Sequence, residues 1–224
     1  MKIIDLSHNL EPLFINDKSE LANAEIRSVL CYLFKPDPSV QWHIAHLISI
    51  SSHIGTHIES PYHWMKDGAD IASIPLESLI GPAVKLDLSY KKRGEKITVE
   101  DVMGASKGRL RSGDIVFLQT NHSELWGTEE YWDESPYLSV DAAKWLVENK
   151  VKVVGIDGPR LDCYRAQDRE RYIIHGVLHG NGVLVIENMV NLDKFKDRGT
   201  AFILPVKVCG IDAFPVRIIV IEED

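Results

Sequence analysis

The stretch Ser139-Val140-Asp141-Ala142-Ala143-Lys144-Trp145-Leu146-Val147-Glu148-Asn149-Lys150-Val151-Lys152-Val153-Val154-Gly155-Ile156 decides the fold class of this chain. Ser139 is a good N-cap, because its hydroxyl can accept a backbone N–H that a first helical turn leaves unpaired. Behind it, Ala142, Ala143, Leu146 and Val147 recur at helical spacing and form one apolar stripe, which predicts a helix over residues 140–149. Residues 151–156 follow almost at once as an apolar, β-branched run with the composition of a buried strand. Residues 115–119 form a similar run upstream. Strand, helix, strand in this order predicts a right-handed parallel crossover, interrupted by a long loop over residues 121–137.

Further strands are predicted at residues 2–6, 43–50, 183–186, 202–208 and 216–221. Thr98, followed by Glu100 and Asp101, predicts a short capped helix that ends in the glycine-containing stretch 104–108. The segment with Pro36 and Pro38 is irregular and suits a lid. The class is α/β with strands dominant. No internal repeat, low-complexity tract or linker divides the 224 residues, so one domain over residues 1–224 is expected.

Hydrophobic residues make up 45% and charged residues 26%, a globular balance. A formal charge of -8 argues against binding a nucleic-acid backbone, which draws affinity from clustered Lys and Arg. The basic cluster Lys91-Lys92-Arg93 is soon followed by Glu95 and reads as a solvated turn. The opening residues lack the apolar run of a signal peptide, and no run approaches the roughly 18 apolar residues of a membrane span. A cytoplasmic protein without a membrane partner is expected. Cys31, Cys163 and Cys209 are odd in number and far apart, so buried free thiols are expected rather than disulfides or a zinc knuckle.

The chemistry is concentrated in Ser52-His53-Ile54-Gly55-Thr56-His57-Ile58-Glu59-Ser60-Pro61-Tyr62-His63. Three imidazoles and a carboxylate in so short a stretch are the nitrogen and oxygen donors that zinc, manganese or iron prefer. Gly55, Thr56 and Pro61 argue against a helix here. In an extended segment His57, Glu59 and His63 share one face, and a turn at Gly55 folds His53 back toward them. Without a metal, each crowded polar group would need a partner of its own.

Elsewhere, Gly104-Ala105-Ser106-Lys107-Gly108 matches Gly-x-Ser-x-Gly but follows a predicted helix and precedes a strand, the reverse of a nucleophile elbow, so a flexible loop is expected. His8, His43, His46, His122 and His179 read as surface or packing residues, and Asp157 with Arg160 as a structural ion pair. Trp42, Trp64, Trp126 and Trp132 suit the wall of a substrate cleft or the core, whereas Trp145 packs within the predicted helix.

The pattern His53-x-Gly55-Thr56-His57-x-Glu59-x-Pro61-x-His63 resembles the signature of the cyclase-like metal hydrolases, the family of bacterial kynurenine formamidase and isatin hydrolase. Ile4-Asp5-Leu6-Ser7 resembles the family's first strand, and Val154-Gly155-Ile156-Asp157-Gly158-Pro159 its Gly-Ile-Asp-x-Pro turn. His175-x-x-Leu178, Glu187-Asn188 and Asn191-Leu192 resemble a third block, so the similarity of order spans almost the whole chain. The resemblance implies a swivelling β/β/α fold with a mixed sheet, and a homodimer or homotetramer. It implies one or two divalent ions, zinc or manganese, with one on His53, His57 and Glu59 and the other on Glu59, His175 and Glu187. His63 would be the acid/base in opening an amide, formamide or lactam C–N bond of a small aromatic or cyclic substrate by metal-activated water.

Two positions depart from the family pattern: Glu59 stands where Asp is usual, and Arg160 replaces a small hydroxyl. If Arg160 faces the cleft, a carboxylate-bearing substrate is favoured. Two other readings stay open from the residues. One is a non-enzymatic binding module with a structural metal, although such sites are usually rich in cysteine. The other is a cyclase or dehydratase using the same carbonyl-activating centre.

Overall fold

The computed structural model describes residues 1–10, 25–29, 45–163 and 173–222. In chain order its elements begin with β1 (Lys2–Asp5), β2 (Glu25–Val29), β3 (Ala45–Ser49), β4 (His57–Glu59), α1 (Leu76–Leu79) and β5 (Ile80–Asp87). They continue with β6 (Lys96–Ile97), α2 (Val99–Ser106), β7 (Ile115–Gln119), α3 (Glu130–Asp133), β8 (Tyr137–Leu138) and α4 (Val140–Glu148). The last are β9 (Val153–Ile156), α5 (Ile173–His179), β10 (Leu184–Glu187), β11 (Arg198–Ile203), β12 (Ala213–Pro215) and β13 (Ile218–Glu222). Trp42, His43, Cys31 and the expected lid lie outside the described residues.

Nine strands form one mixed sheet in the order β1-β13-β11-β5-β7-β9-β10-β4-β12. Its centre, β5-β7-β9-β10, is parallel, and every pair on either flank is antiparallel. Helices α2, α4 and α5 lie in the connections between these parallel strands, as the strand, helix, strand reading required. Ser139 caps α4 by accepting from the backbone N–H of Ala142, and Thr98 with Asp101 forms a reciprocal capping box on α2.

The sheet's two faces divide the core. Val84, Leu86, Val116, Leu118, Val154, Ile156 and Val185 meet Val102 of α2, Ala142, Ala143 and Leu146 of α4, and Ile174 and Leu178 of α5. The other face buries Ala83, Ile115, Phe117, Val153, Leu184, Ile186 and Ile58 with Leu192, Phe195 and residues of β11 and β13. Each large aliphatic or aromatic side chain removed from water here contributes roughly 1.5–3 kcal/mol. Gly155 marks the tightest approach in this layer. A Cβ there would stand 2.5 Å from Met189 Sδ and 3.0 Å from Phe117 Cδ1.

Several expected boundaries move. The strand expected at 202–208 begins earlier, at Arg198, and stops at Ile203, because Pro205 cannot donate to a ladder; Leu204 and Val206 are exposed. The strand expected at 216–221 begins at Ile218 as β13, with β12 a separate strand before it and the N–H of Val216 between them donating to Thr56 O. The 121–137 loop holds a 3-10 turn (His122–Leu125), α3 and the start of β8. Helix α2 continues through Gly104 to Ser106, where Lys107 adopts φ 49°, so the Gly-x-Ser-x-Gly segment is a helix end rather than a flexible loop. Cys163 is half-buried and Cys209 exposed, contrary to the expectation of buried thiols, because both fall in loops outside the sheet. Among the described residues no helix is long and apolar enough to cross a membrane.

Candidate metal centre

Strand β4 lies between β10 and β12, and its register assembles the first half of the centre. His57 pairs with Glu187 and Glu59 with Val185, so alternation sends His57, Glu59 and Glu187 to the helix-covered face and Ile58 to the opposite core. Gly55, at φ 59°, makes the turn that brings His53 back. His53 Nδ1 lies 3.2 Å from His57 Nε2 and 2.9 Å from Glu59 Oε1, and His57 Nε2 is 3.2 Å from the same carboxylate oxygen.

Helix α5 covers this face and supplies the second half. His175 Nε2 lies 2.9 Å from Glu59 Oε2 and 3.5 Å from Glu187 Oε1, while His179 Nε2 lies 3.6 Å from Glu59 Oε2. Glu59 therefore sits between the two groups with one oxygen toward each. His57, Glu59, His175, His179 and Glu187 are all buried, whereas the His53 side chain is 21% exposed and that of His63 28%.

His63 reaches the centre differently from the sequence expectation. β4 ends at Glu59, and a 3-10 turn over Pro61–His63 carries the ring, which stands 4.7 Å from His53 and 5.7 Å from His175 between centroids. Its Nδ1–H donates to Asp212 Oδ2 at 2.8 Å, and His53 Nε2–H donates to the same oxygen at 2.9 Å. Those two bonds hold the Asp212 carboxyl well below the usual carboxylate range.

Every imidazole of the two groups is anchored from outside. His57 Nδ1–H donates to Gly55 O at 2.9 Å, His53 to Asp212, His175 Nδ1–H to buried Asp162, and His179 Nδ1–H to Val183 O at 3.1 Å. Each bond fixes the ring and turns its other nitrogen inward, the arrangement that outer partners impose on metal-ligating histidines. Asn188 extends this support, accepting from the Tyr131 hydroxyl at 2.8 Å and donating to Gly55 O at 2.9 Å.

Not all of the inward atoms are satisfied by one another. Glu59 Oε2, His179 Nε2 and Glu187 Oε1 are buried without a hydrogen-bond partner among the described residues. Each such group costs about 1–3 kcal/mol, more when charged, so a cluster of them calls for positive charge at its centre. The electrostatics agree. Burial opposes the charged forms, yet Glu59, Asp162 and Glu187 raise His175 well above the ordinary histidine range, and Asp212 and Glu59 raise His53 to about 10. Burial likewise opposes ionisation of Glu59, but His175, His179 and His53 hold it well below the usual carboxylate range. Nitrogen and carboxylate donors without a thiolate fit a divalent ion of the zinc or manganese kind.

The structure thus brings together His53, His57, Glu59, His63, His175 and Glu187. Sequence reasoning missed three participants: His179, set aside as packing, and the carboxylates of Asp162 and Asp212. The four-residue spacing of His175 and His179 on one helix was the signal available for His179. His122 is a packing residue, buried and bonded to Tyr131 O at 2.7 Å, and His8 stacks on Trp126 with centroids 3.9 Å apart. Asp157 accepts from the Thr120 hydroxyl and from the backbone N–H groups of Thr120 and Asn121. Arg160 is half-buried, and its charge is felt at the Tyr131 hydroxyl. Trp126 and Trp132 flank Tyr131 at 5.1 and 5.0 Å, while Trp64 is 47% exposed and lies against Gly176, next to His175.

Comparison with known proteins follows the same outline. Residues 4–163 match the family described as "Putative cyclase". Kynurenine formamidase of Bacillus cereus is 29% identical over 174 residues, covering 77% of this chain and 78% of that protein. Isatin hydrolase A from Labrenzia aggregata, bound to benzyl benzoate, is 26% identical and superposes with a TM-score of 0.85, covering 97% of this chain and 92% of that one. A structure described as a predicted metal-dependent hydrolase from Bacillus stearothermophilus is 25% identical with a TM-score of 0.77, covering 98% and 97%.

Proposed function

The chain belongs to the cyclase family, and from that premise we propose that it is a metal-dependent hydrolase that opens an amide C–N bond of a small aromatic substrate. The observation that carries this reading is the convergence of buried, outward-anchored imidazoles and carboxylates on Glu59, with three inward atoms lacking a hydrogen-bond partner among the described residues.

His53, His57 and Glu59 would hold one ion, and Glu59, His175 and Glu187 a second, with zinc or manganese the metals that suit the donors. When bound, such an ion polarises a carbonyl and lowers the pKa of water, which supplies the nucleophile at neutral pH. The protein's own groups do the rest. His63 stands at the mouth, with Nδ1–H committed to Asp212, so Nε2 is the atom that takes a proton and passes it to the departing nitrogen. Asp212 fixes that ring and the ring of His53 at once. Trp64, exposed beside His63, offers an aromatic face for the substrate ring.

We further propose that residues 1–224 act as one domain, that the protein works in the cytoplasm, and that it assembles as a homodimer or homotetramer; the family resemblance supports the assembly. The test is hydrolysis of N-formyl aromatic amines and isatin-like lactams by wild type and His57→Ala. Turnover that needs added metal and disappears with His57 is expected. Metal binding without turnover of any amide or lactam would overturn the assignment in favour of a structural site.

A further inference from the structure

Helix α5 presents two imidazoles to Glu59, not one. His175 and His179 stand four residues apart and so share a helix face on successive turns. His179 is completely buried, its Nδ1–H donates to Val183 O at 3.1 Å, and its Nε2 has no hydrogen-bond partner among the described residues. That nitrogen faces Glu59 Oε2 at 3.6 Å, beyond hydrogen-bond reach, in the protein interior. A histidine that merely filled the core would satisfy its second nitrogen with a donor.

We propose that His179 is a metal ligand, joining Glu59, His175 and Glu187 at the inner of the two positions; this rests on the two-ion reading above. The donor atoms of Glu59, His175 and His179 lie within 4.8 Å of one another, and Glu187 Oε1, 3.5 Å from His175 Nε2, would make a fourth; the outer position, formed by His53, His57 and Glu59, has three. Four protein donors complete a tetrahedral set and close it, whereas three leave a place for water or a substrate carbonyl. The two positions would accordingly differ in role: the inner residues would hold an ion tightly and order Glu59, and the outer residues would leave a place open to the substrate. One residue of the outer set reaches solvent, the side chain of His53 at 21%, whereas His57, His175 and His179 are all buried.

The test is chelator competition on zinc-loaded protein, with ions per chain counted by elemental analysis. Wild type is expected to release zinc in two steps. His179→Gln and His179→Leu should weaken retention in the tighter step at least ten-fold, and His53→Ala should shift the looser step alone. Folded His179 variants with an unchanged tighter step would overturn the proposal. Wild type that takes up no zinc would instead overturn the metal-centre reading itself. If neither His179 variant folds, nitrogen-15 NMR of zinc-loaded wild type decides the matter: four metal-bound imidazoles support the proposal and three contradict it.

Discussion

His57 and Glu187 face each other as partners across the antiparallel pair of β4 and β10, with Nε2 and Oε2 3.8 Å apart. The register of one short strand pair thus joins two sequence blocks separated by more than half the chain.

Glu187→Gln keeps the volume and hydrogen-bonding capacity of this partner but removes its charge. Metal retention is expected to fall by more than the roughly 10–100-fold that loss of an outer partner costs, with the fold intact by circular dichroism. Retention equal to wild type would remove Glu187 from the ligand set.

His63 hydrogen-bonds to Asp212 and is proposed as the acid/base rather than as a ligand. His63→Ala should therefore lower kcat by roughly 10²–10⁴ with bound metal unchanged. Steady-state kinetics beside elemental analysis check this, and a parallel loss of metal would make His63 a ligand instead.

The stretch from His53 to Glu59 was legible in the sequence because its geometry is local: a positive-φ glycine turn followed by strand alternation. His63 was legible as a participant but not in its route, since a 3-10 turn starting at Pro61 replaces the extended segment. The carboxylates were not legible. Asp212 lies 149 residues from His63, and Asp162 meets His175 only at the start of α5, where its carboxylate accepts from the N–H groups of Ile174 and His175. The parallel centre of the sheet followed from apolar runs and the Ser139 cap, whereas its antiparallel flanks depend on long-range pairings that no local pattern encodes.

Buried Asp157 gives a stability prediction. Burial pushes its carboxyl up to about 6, although Thr120 and Asn121 donate to it. A carboxyl raised in the native state contributes stability that is fully present below its unfolded value of 3.8 and is lost as the pH rises through about 6. Asp157→Asn stays neutral throughout. The stability of wild type relative to the variant should fall by on the order of 3 kcal/mol from pH 4 to pH 7, read from urea midpoints, and a flat difference would refute the assignment.

Gly155→Ala would force a methyl group between Met189, Phe117 and Ile186. Overpacking of this kind costs about 1–3 kcal/mol, and because the neighbouring β10 carries Glu187, metal retention should weaken with it. Thermal denaturation compared with the metal count checks both effects; a melting temperature at or above that of wild type would contradict the packing described here.

The most direct measurement is reconstitution: metal is stripped from the wild-type protein, zinc or manganese is added in steps, and ions per chain are counted while hydrolysis of an N-formyl aromatic amine or an isatin-like lactam is followed. Turnover that is absent from the stripped protein, rises with occupancy and is abolished in His57→Ala is the predicted result. Full turnover by the stripped protein, or no uptake of either metal, would contradict the account.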